Sequence, residues 1–96
     1  MEKNFYVYML ANLKNGTLYK GMTSNLVKRI SEHKEGINCD FTNKYDVKKL
    51  VWYKECGCAE DAIRWEKRLR RYPRQWKINL IEETNPEWKD LYEDLF

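Results

Sequence analysis

The sequence of 96 residues has no apolar run long enough for a membrane-spanning helix, which needs about 18 to 20 such residues. Charged residues make up 34% of the chain, which also argues against a membrane protein. The N-terminus lacks the basic and then apolar pattern of a secretory signal peptide. We therefore expect a cytoplasmic protein with no membrane partner.

Cysteine is scarce: the chain has three cysteines, which is an odd number. An odd count favours reduced thiols, as in cytosolic proteins, over a framework of disulfides. Cys56 and Cys58 are separated by a single residue, whereas zinc-binding cysteines are usually separated by about two to four residues. Cys39 and the single histidine, His33, do not supply a second pair, so the sequence argues against a structural zinc site.

Internal repeats, linkers and low-complexity segments are absent, and 96 residues suffice for one core but not for two. The sequence therefore predicts a single domain over residues 1–96. Its apolar patterns and turn signals predict strands at 5–11, 17–22 and 49–55, helices at 25–35, 59–71 and around 76–81, a loop at 37–47, and a short last helix after Asn85-Pro86. This order, β-β-α-β-α-α, indicates an α+β fold with a small three-stranded, mostly antiparallel sheet flanked by helices.

Aromatic residues make up 15% of the chain and are expected to supply much of the core. The expectation applies first to the four tryptophans, which are Trp52, Trp65, Trp76 and Trp88. Stacking on nucleobases is the alternative use for any of these rings.

Asn15-Gly16 is a strong hairpin signal and predicts a two-residue turn between the first two strands. Directly opposed residues of a hairpin share a face of the sheet, and the faces alternate along each strand. The turn therefore places Tyr8, Tyr19 and Gly21 on one face. Two phenols would converge there beside a residue without a side chain.

The segment after the hairpin is predicted to be an amphipathic helix with Thr23-Ser24 as its N-cap. Arg29 and His33 lie four residues apart in this segment and hence on one helical face. Together with the two tyrosines, a guanidinium and an imidazole suit a site that handles phosphate.

The net charge of +3 conceals a strong asymmetry along the chain. Residues 64–77 contain seven basic residues and a single acid, Glu66, whereas the following nineteen residues contain six acids and one lysine. A basic block of this density is typical of a polyanion-binding surface, with Arg70, Arg71 and Arg74 as candidate substrate contacts. A solvated helix face is the alternative interpretation of the same charges.

A set of short motifs occurs in order along the chain. These motifs are Tyr6-Val7-Tyr8, Tyr19-Lys20-Gly21, Arg29, His33, Phe41-Thr-Asn-Lys-Tyr45, Glu66 and Asn85-Pro86-Glu87-Trp88. The ordered set resembles the GIY-YIG nuclease superfamily, in particular its short stand-alone members of uncharacterised function. The chain departs from the family pattern at Tyr6, where the family has glycine, and at Lys20, where it has an aliphatic residue.

The resemblance implies a GIY-YIG-like domain that is an endonuclease and hydrolyses phosphodiester bonds in DNA, with RNA as a further candidate substrate. It also implies dependence on Mg²⁺ or Mn²⁺, with Glu66 as the metal ligand. Tyr8 and Tyr19 would position the scissile phosphate and the attacking water, and one of them would be the general base.

The remaining positions carried over from the family have supporting roles. Arg29 would bind a phosphate oxygen and stabilise charge in the transition state. His33 would assist proton transfer or hold a tyrosine in place. Gly21 would allow close approach of a helix or of the substrate to the strand.

Other interpretations stay open at this level. One is a nucleic-acid-binding module with the nuclease fold but little or no catalytic activity. Another is an interaction protein that docks a partner through its acidic C-terminal segment, and a separate targeting partner is compatible with the nuclease itself. Glu66 is also spaced to pair with Arg70 on a helix, and the two tyrosines also suit ordinary strand positions.

Overall fold

The strands and helices follow the predicted order, with one added helix. The computed structural model describes residues 4–37 and 40–96, so the expectations that involve residues 1–3 and Cys39 lie outside the described residues. The elements in chain order are β1 (Phe5–Ala11), β2 (Leu18–Thr23), α1 (Leu26–Glu35), α2 (Asp40–Lys44), β3 (Lys49–Cys56), α3 (Ala59–Arg71), α4 (Arg74–Thr84) and a 3₁₀ helix (Leu91–Leu95). Among the described helices, none has the length and apolar character to cross a membrane.

The sheet has the strand order β2-β1-β3, and both strand pairs are antiparallel. Val7 and Met9 of the central strand β1 pack against α3 and α4 on one face of the sheet. On the other face Tyr8 and Leu10 pack against α1. The predicted α+β class, with a small antiparallel sheet between helices, is confirmed.

The β1–β2 hairpin is closed by a four-residue loop, so the predicted two-residue turn at Asn15-Gly16 is wrong. The Asn12 N–H donates to the carbonyl of Thr17 at 3.3 Å, which closes the loop over residues 13–16. Asn12 Oδ1 accepts hydrogen bonds from the backbone N–H groups of Leu13 and Thr17. A Cβ on Gly16 would collide with this oxygen, so a larger residue there would displace the Asn12 side chain from its capping position.

The longer loop shifts the strand register without changing the faces. Tyr8 pairs with Gly21, whereas a two-residue turn would have paired it with Thr23. A shift of two residues preserves the alternation of side chains across a strand, whereas a shift of one would reverse it. Tyr8, Tyr19 and Gly21 therefore share one face, as the sequence predicts.

The start of the first helix and the segment after it also differ from the prediction. The N-cap of α1 is Asn25, whose Oδ1 accepts from the N–H of Lys28 at 3.2 Å, and the predicted cap Thr23-Ser24 is wrong. Thr23 Oγ1 instead accepts from the N–H of Asn25. The predicted loop at 37–47 is also wrong in part, because α2 forms within it.

Residues 85–96 form a closing segment beside β3. Asn85 Nδ2 donates to the carbonyls of Val51 at 3.1 Å and Lys89 at 2.8 Å. This amide ties a turn to the strand rather than capping a helix, so the predicted N-cap of the last helix is wrong, and the short last helix begins only at Leu91 with Asp90 as its N-cap. Trp88 has a φ of 57° in this turn and is fully buried, and its Nε1 donates to Glu82 at 2.8 Å.

The tryptophans divide between core and surface. Trp52 and Trp88 are buried, and Trp65 is half-buried with its ring 6.2 Å from that of Trp52. Trp76 is exposed on α4, where it packs edge-on against Tyr72. The core expectation is therefore wrong for Trp76, because its face of α4 is turned away from the sheet.

Candidate active site

An open cavity of about 600 Å³ lies along β2, an edge strand of the sheet. Tyr19 and Gly21 contribute to it from β2, Glu66 and Arg70 from α3, and Phe41 from α2. Its other lining residues are three neighbours on β2, namely Leu18, Lys20 and Met22. Residues from three elements that are distant in sequence thus meet in one cavity.

Tyr8 lies next to this cavity but within the core, with 1% of its surface exposed. Its ring centroid is 6.5 Å from that of Tyr19. A Cβ on Gly21 would lie 2.6 Å from the Tyr8 hydroxyl oxygen and 2.8 Å from its Cζ. Gly21 therefore makes room for the phenol of Tyr8, and the close approach predicted at this glycine is made by a side chain of the protein itself.

A chain of buried hydrogen bonds fixes the Tyr8 hydroxyl. The hydroxyl lies 3.0 Å from His33 Nε2, and His33 Nδ1 lies 2.9 Å from Thr42 Oγ1. A neutral imidazole has one N–H and one lone pair, so one of the two hydroxyls donates to the ring and the other accepts from it. Because His33 and Thr42 are fully buried, this chain joins β1, α1 and α2 in a fixed arrangement.

The imidazole of His33 is neutral at neutral pH. Burial, and then the nearby cation of Arg29, lower the pKa of His33 from 6.5 to about 4, against a smaller opposing effect of Glu32. A neutral ring suits the role of holding Tyr8 in place, which is one of the two roles predicted for His33.

We expect the free energy of unfolding to fall as the pH decreases from 6.5 to about 4, because His33 has a lowered pKa in the folded protein. In this pH window the unfolded chain takes up a proton on His33 while the folded chain does not. Proton binding therefore stabilises the unfolded state relative to the folded state. The full contribution is about 3 kcal/mol, from about 1.4 kcal/mol for each pKa unit. Urea denaturation at several pH values measures it.

The control for this measurement is His33→Gln, which lacks the titrating group. Its pH dependence should lack the component between pH 6.5 and 4 that the wild type shows. Carboxylates that titrate in the same range contribute equally to both proteins and cancel in the difference. Identical curves for the two proteins would contradict the buried neutral imidazole.

Arg29 lies one helical turn before His33 and contacts Tyr8 rather than the cavity wall. Burial acts to lower the pKa of Arg29, but its side-chain hydrogen bonds with Tyr8 and Glu32, and the charges of these groups, raise the pKa overall. Its Nη1 is 3.5 Å from Glu32 Oε1. A permanent cation therefore stands beside the Tyr8 hydroxyl.

Glu66 is paired with Arg70 across one turn of α3. Its Oε1 accepts a hydrogen bond from Arg70 Nη2 at 2.6 Å, and the Glu66 side chain is only 15% exposed. Within residues 4–37 and 40–96, no three acids, histidines or cysteines cluster as metal ligands. A hard cation such as Mg²⁺ is often held by one or two carboxylates, with waters and substrate phosphates as the other ligands. The second carboxylate oxygen of Glu66 fits such a site.

Two of the predicted substrate contacts lie away from the cavity. Arg74 Nη2 donates to the carbonyls of Asn15 at 2.7 Å and Gly16 at 2.6 Å, which fastens the hairpin loop to the start of α4. Arg71 lines a separate groove of about 290 Å³ on α3. The other lining residues of this groove are all basic: Arg64, Lys67 and Arg68. The structure thus brings Arg70 to the cavity but not Arg71 or Arg74.

Two residues at the site, Thr42 and Phe41, carry no role that the sequence predicts. Both fall in the predicted loop, and their only signal is the segment that the family resemblance includes. Thr42 hydrogen-bonds to His33, and Phe41 lines the cavity with its ring 5.9 Å from that of Tyr19. A five-residue helix is too short to be recognised by apolar periodicity.

The chain is similar to known proteins in both sequence and fold. The family model of the GIY-YIG catalytic domain matches residues 4–79. A UPF0213 protein of Staphylococcus haemolyticus is 32% identical over 78 residues, which cover 81% of this chain and 94% of that protein. A UPF0213 protein of Bacillus licheniformis is 31% identical over 91 residues, covering 94% and 93% of the two chains.

A solved structure is similar over nearly the whole chain. It is the solution NMR structure of a UPF0213 protein from Bacillus halodurans, with 29% identity and a TM-score of 0.57. The similarity covers 91% of this chain and 92% of the other.

Proposed function

The chain belongs to the GIY-YIG family, and from this premise we propose that it is a metal-dependent endonuclease that hydrolyses phosphodiester bonds in DNA. Membership supports a nuclease-like activity in general terms. The observation that carries the proposal is that Tyr19 and Glu66, from β2 and α3, line the same cavity. A hydroxyl that can move a proton and a carboxylate that can bind a cation are thereby available to one phosphate.

Tyr19 is the tyrosine that we assign to the substrate. It lines the open cavity, whereas the Tyr8 hydroxyl is buried against His33. Tyr19 would position the attacking water and relay its proton, taking up the water's proton while its own hydroxyl proton passes to a phosphate oxygen. Tyr8 would act as a positioning residue, because its ring lies beside Tyr19 and its hydroxyl is fixed by the buried hydrogen bonds.

Cations around the cavity suit an anionic transition state. A phosphodiester gains negative charge as it is attacked, so positively charged groups supply much of the stabilisation. Arg70 and Lys20 line the cavity, and Arg29 stands beside Tyr8. The pKa of Lys77 is lowered by burial and then by its neighbours Lys20 and Arg74, which shows that cations are crowded on this side of the protein.

Glu66 is the residue that would hold a divalent cation, and GIY-YIG nucleases generally depend on one. When bound, Mg²⁺ or Mn²⁺ would supply Lewis-acid stabilisation to phosphate oxygens. Glu66 would keep one carboxylate oxygen for the ion while Arg70 holds the other.

The basic groove on α3 would bind the nucleic-acid backbone outside the cavity. Arg71 lies there with three further cations, on a face of the helix different from that of Glu66 and Arg70. Contacts of this kind add affinity that depends on salt and carry no sequence information. Arg74 is assigned to the hairpin loop instead.

The ion pair between Glu66 and Arg70 is the observation that favours the alternative, a nucleic-acid-binding module without turnover. At 2.6 Å the guanidinium neutralises the carboxylate that the nuclease needs for its cation. In this case the cavity would hold a phosphate but would not hydrolyse it.

Incubation of the purified protein with supercoiled, branched and single-stranded DNA tests the proposal. We expect cleavage products with Mg²⁺ or Mn²⁺ and none after chelation with EDTA, because the chain's own groups do not supply the charge of the ion. The same substrates in RNA form show whether the sugar is discriminated. Binding of these substrates without cleavage under any metal condition would establish the alternative and overturn the nuclease.

A further inference from the structure

Two exposed aromatic residues stand at the rim of the cavity. Phe41 and Tyr45 are 45% and 46% exposed, and their ring centroids are 4.8 Å apart. Phe41 lines the cavity together with Tyr19 and Glu66. Neighbouring exposed aromatic rings beside a cavity make an apolar patch of the kind that marks a ligand-binding surface.

The short helix α2, which carries these rings, is held by hydrogen bonds. Phe41 and Tyr45 are four residues apart, and the N–H of Tyr45 donates to the carbonyl of Phe41 at 3.1 Å, so the rings share one helical face. Thr42, on the opposite side of α2, is fully buried and hydrogen-bonded to His33. The backbone N–H of Val47 donates to the carbonyl of Thr42 at 2.8 Å, which fixes the end of the helix.

The rings continue an aromatic series that begins inside the site. The ring of Tyr19 is 5.4 Å from His33 and 5.9 Å from Phe41, to which it is inclined by 30°. Lys44 Nζ lies 5.5 Å from the centroid of the Tyr45 ring. The rim thus offers π-faces for a flat ligand and a cation for an anionic group next to it.

We propose that Phe41 and Tyr45 form a stacking platform for the nucleobase that adjoins the phosphate in the cavity. This inference rests on the proposed function and deepens it, because it specifies a substrate with an unpaired base at that position. A base inside a regular duplex is stacked on its neighbours and cannot lie flat on a protein ring. Lys44 would contact the next phosphate along the strand.

The test measures binding in EDTA, so that it does not depend on cleavage. Short single-stranded DNA carrying one 2-aminopurine at successive positions reports stacking through loss of fluorescence. We expect quenching at one position with the wild type, and loss of that quenching in Phe41→Ala and Tyr45→Ala. Their affinity should fall by about five- to 150-fold, since stacking of one base on an aromatic ring has this effect.

The chain offers a matched control in Phe96→Ala. Phe96 forms an edge-on pair with Tyr92, four residues earlier, and is exposed in the acidic C-terminal segment. Its replacement should leave quenching and affinity unchanged. Phe41→Tyr, which keeps an aromatic face, should restore both. Circular dichroism and melting of each variant establish that it is folded.

An abasic site provides the second arm. If the platform binds the base, removal of that base from the DNA should weaken wild-type binding and leave Phe41→Ala almost unaffected. Equal losses for an abasic strand in both proteins, or wild-type affinity in both alanine variants, would overturn the platform. Quenching by the wild type without cleavage in Mg²⁺ would refute the nuclease activity and support the stacking platform. Cleavage by the wild type, together with unaltered DNA binding by the alanine variants, would support the nuclease activity and refute the platform.

Discussion

Replacement of Glu66 by glutamine is expected to abolish metal-dependent cleavage while the protein stays folded. Among the described residues that line the cavity, Glu66 is the only acid, so the variant loses the carboxylate that would hold a cation there. Glutamine keeps the volume and an acceptor for Arg70, so we expect the free energy of unfolding to change by about 1 kcal/mol or less. Single-turnover cleavage and thermal melting measure the two effects.

Asp61→Asn is the matched control for this variant. Asp61 is a carboxylate on the same helix and is also paired with an arginine, Arg64, at 3.7 Å, but it does not line the cavity. The control should cleave DNA like the wild type. An electron paramagnetic resonance titration with Mn²⁺ should show a site that Glu66→Gln loses and Asp61→Asn retains. Unchanged Mg²⁺-dependent turnover in Glu66→Gln would exclude Glu66 as the metal ligand.

The second large effect is expected from Tyr19→Phe. Loss of a positioned proton-transfer group commonly reduces the rate by about 10²–10⁴-fold. The phenylalanine ring keeps the contacts of the tyrosine ring with His33 and Phe41, so affinity for DNA and melting temperature should stay close to the wild type. The single-turnover rate, the DNA affinity and the melting temperature, measured under the same conditions, distinguish a loss of catalysis from a loss of binding or of stability.

Tyr8→Phe serves as the comparison, because its hydroxyl is buried and bonded to His33. Its removal leaves a buried ring nitrogen without its partner, which costs about 1–3 kcal/mol of stability. We therefore expect Tyr8→Phe to lower both the melting temperature and the rate, whereas Tyr19→Phe lowers the rate alone. Full cleavage activity in Tyr19→Phe would refute its catalytic role.

The sequence was sufficient to predict that Tyr8 and Tyr19 lie on the same face of the sheet. A change of turn that shifts the strand register by an even number of residues leaves Tyr8 and Tyr19 on one face. The predicted face was therefore correct although the predicted turn was wrong. Gly21 followed from the same argument. The four-residue spacing of Arg29 and His33 likewise needed only the helical period.

The parts that the sequence did not reveal depend on contacts between distant segments. Helix α2 has five residues, too few for stability by itself, and it is held by the bond between Thr42 and His33. The partner of Arg74 lies 59 residues away, at Asn15, and no local pattern indicates such a pair. A charge count treats Arg70, Arg71 and Arg74 alike, although each has a different environment in the fold.

The closing segment has a consequence for protein engineering. The GIY-YIG match ends at residue 79, yet Ile81 and Trp88 beyond it are fully buried, and Asp90 Oδ1 accepts from the backbone N–H of Leu50 at 3.2 Å. A fusion protein that carried only the matched stretch would expose the apolar side of β3 to water and to other chains. The smallest transplantable module is therefore set by the packing behind β3, and it extends well past the last residue that the family model matches.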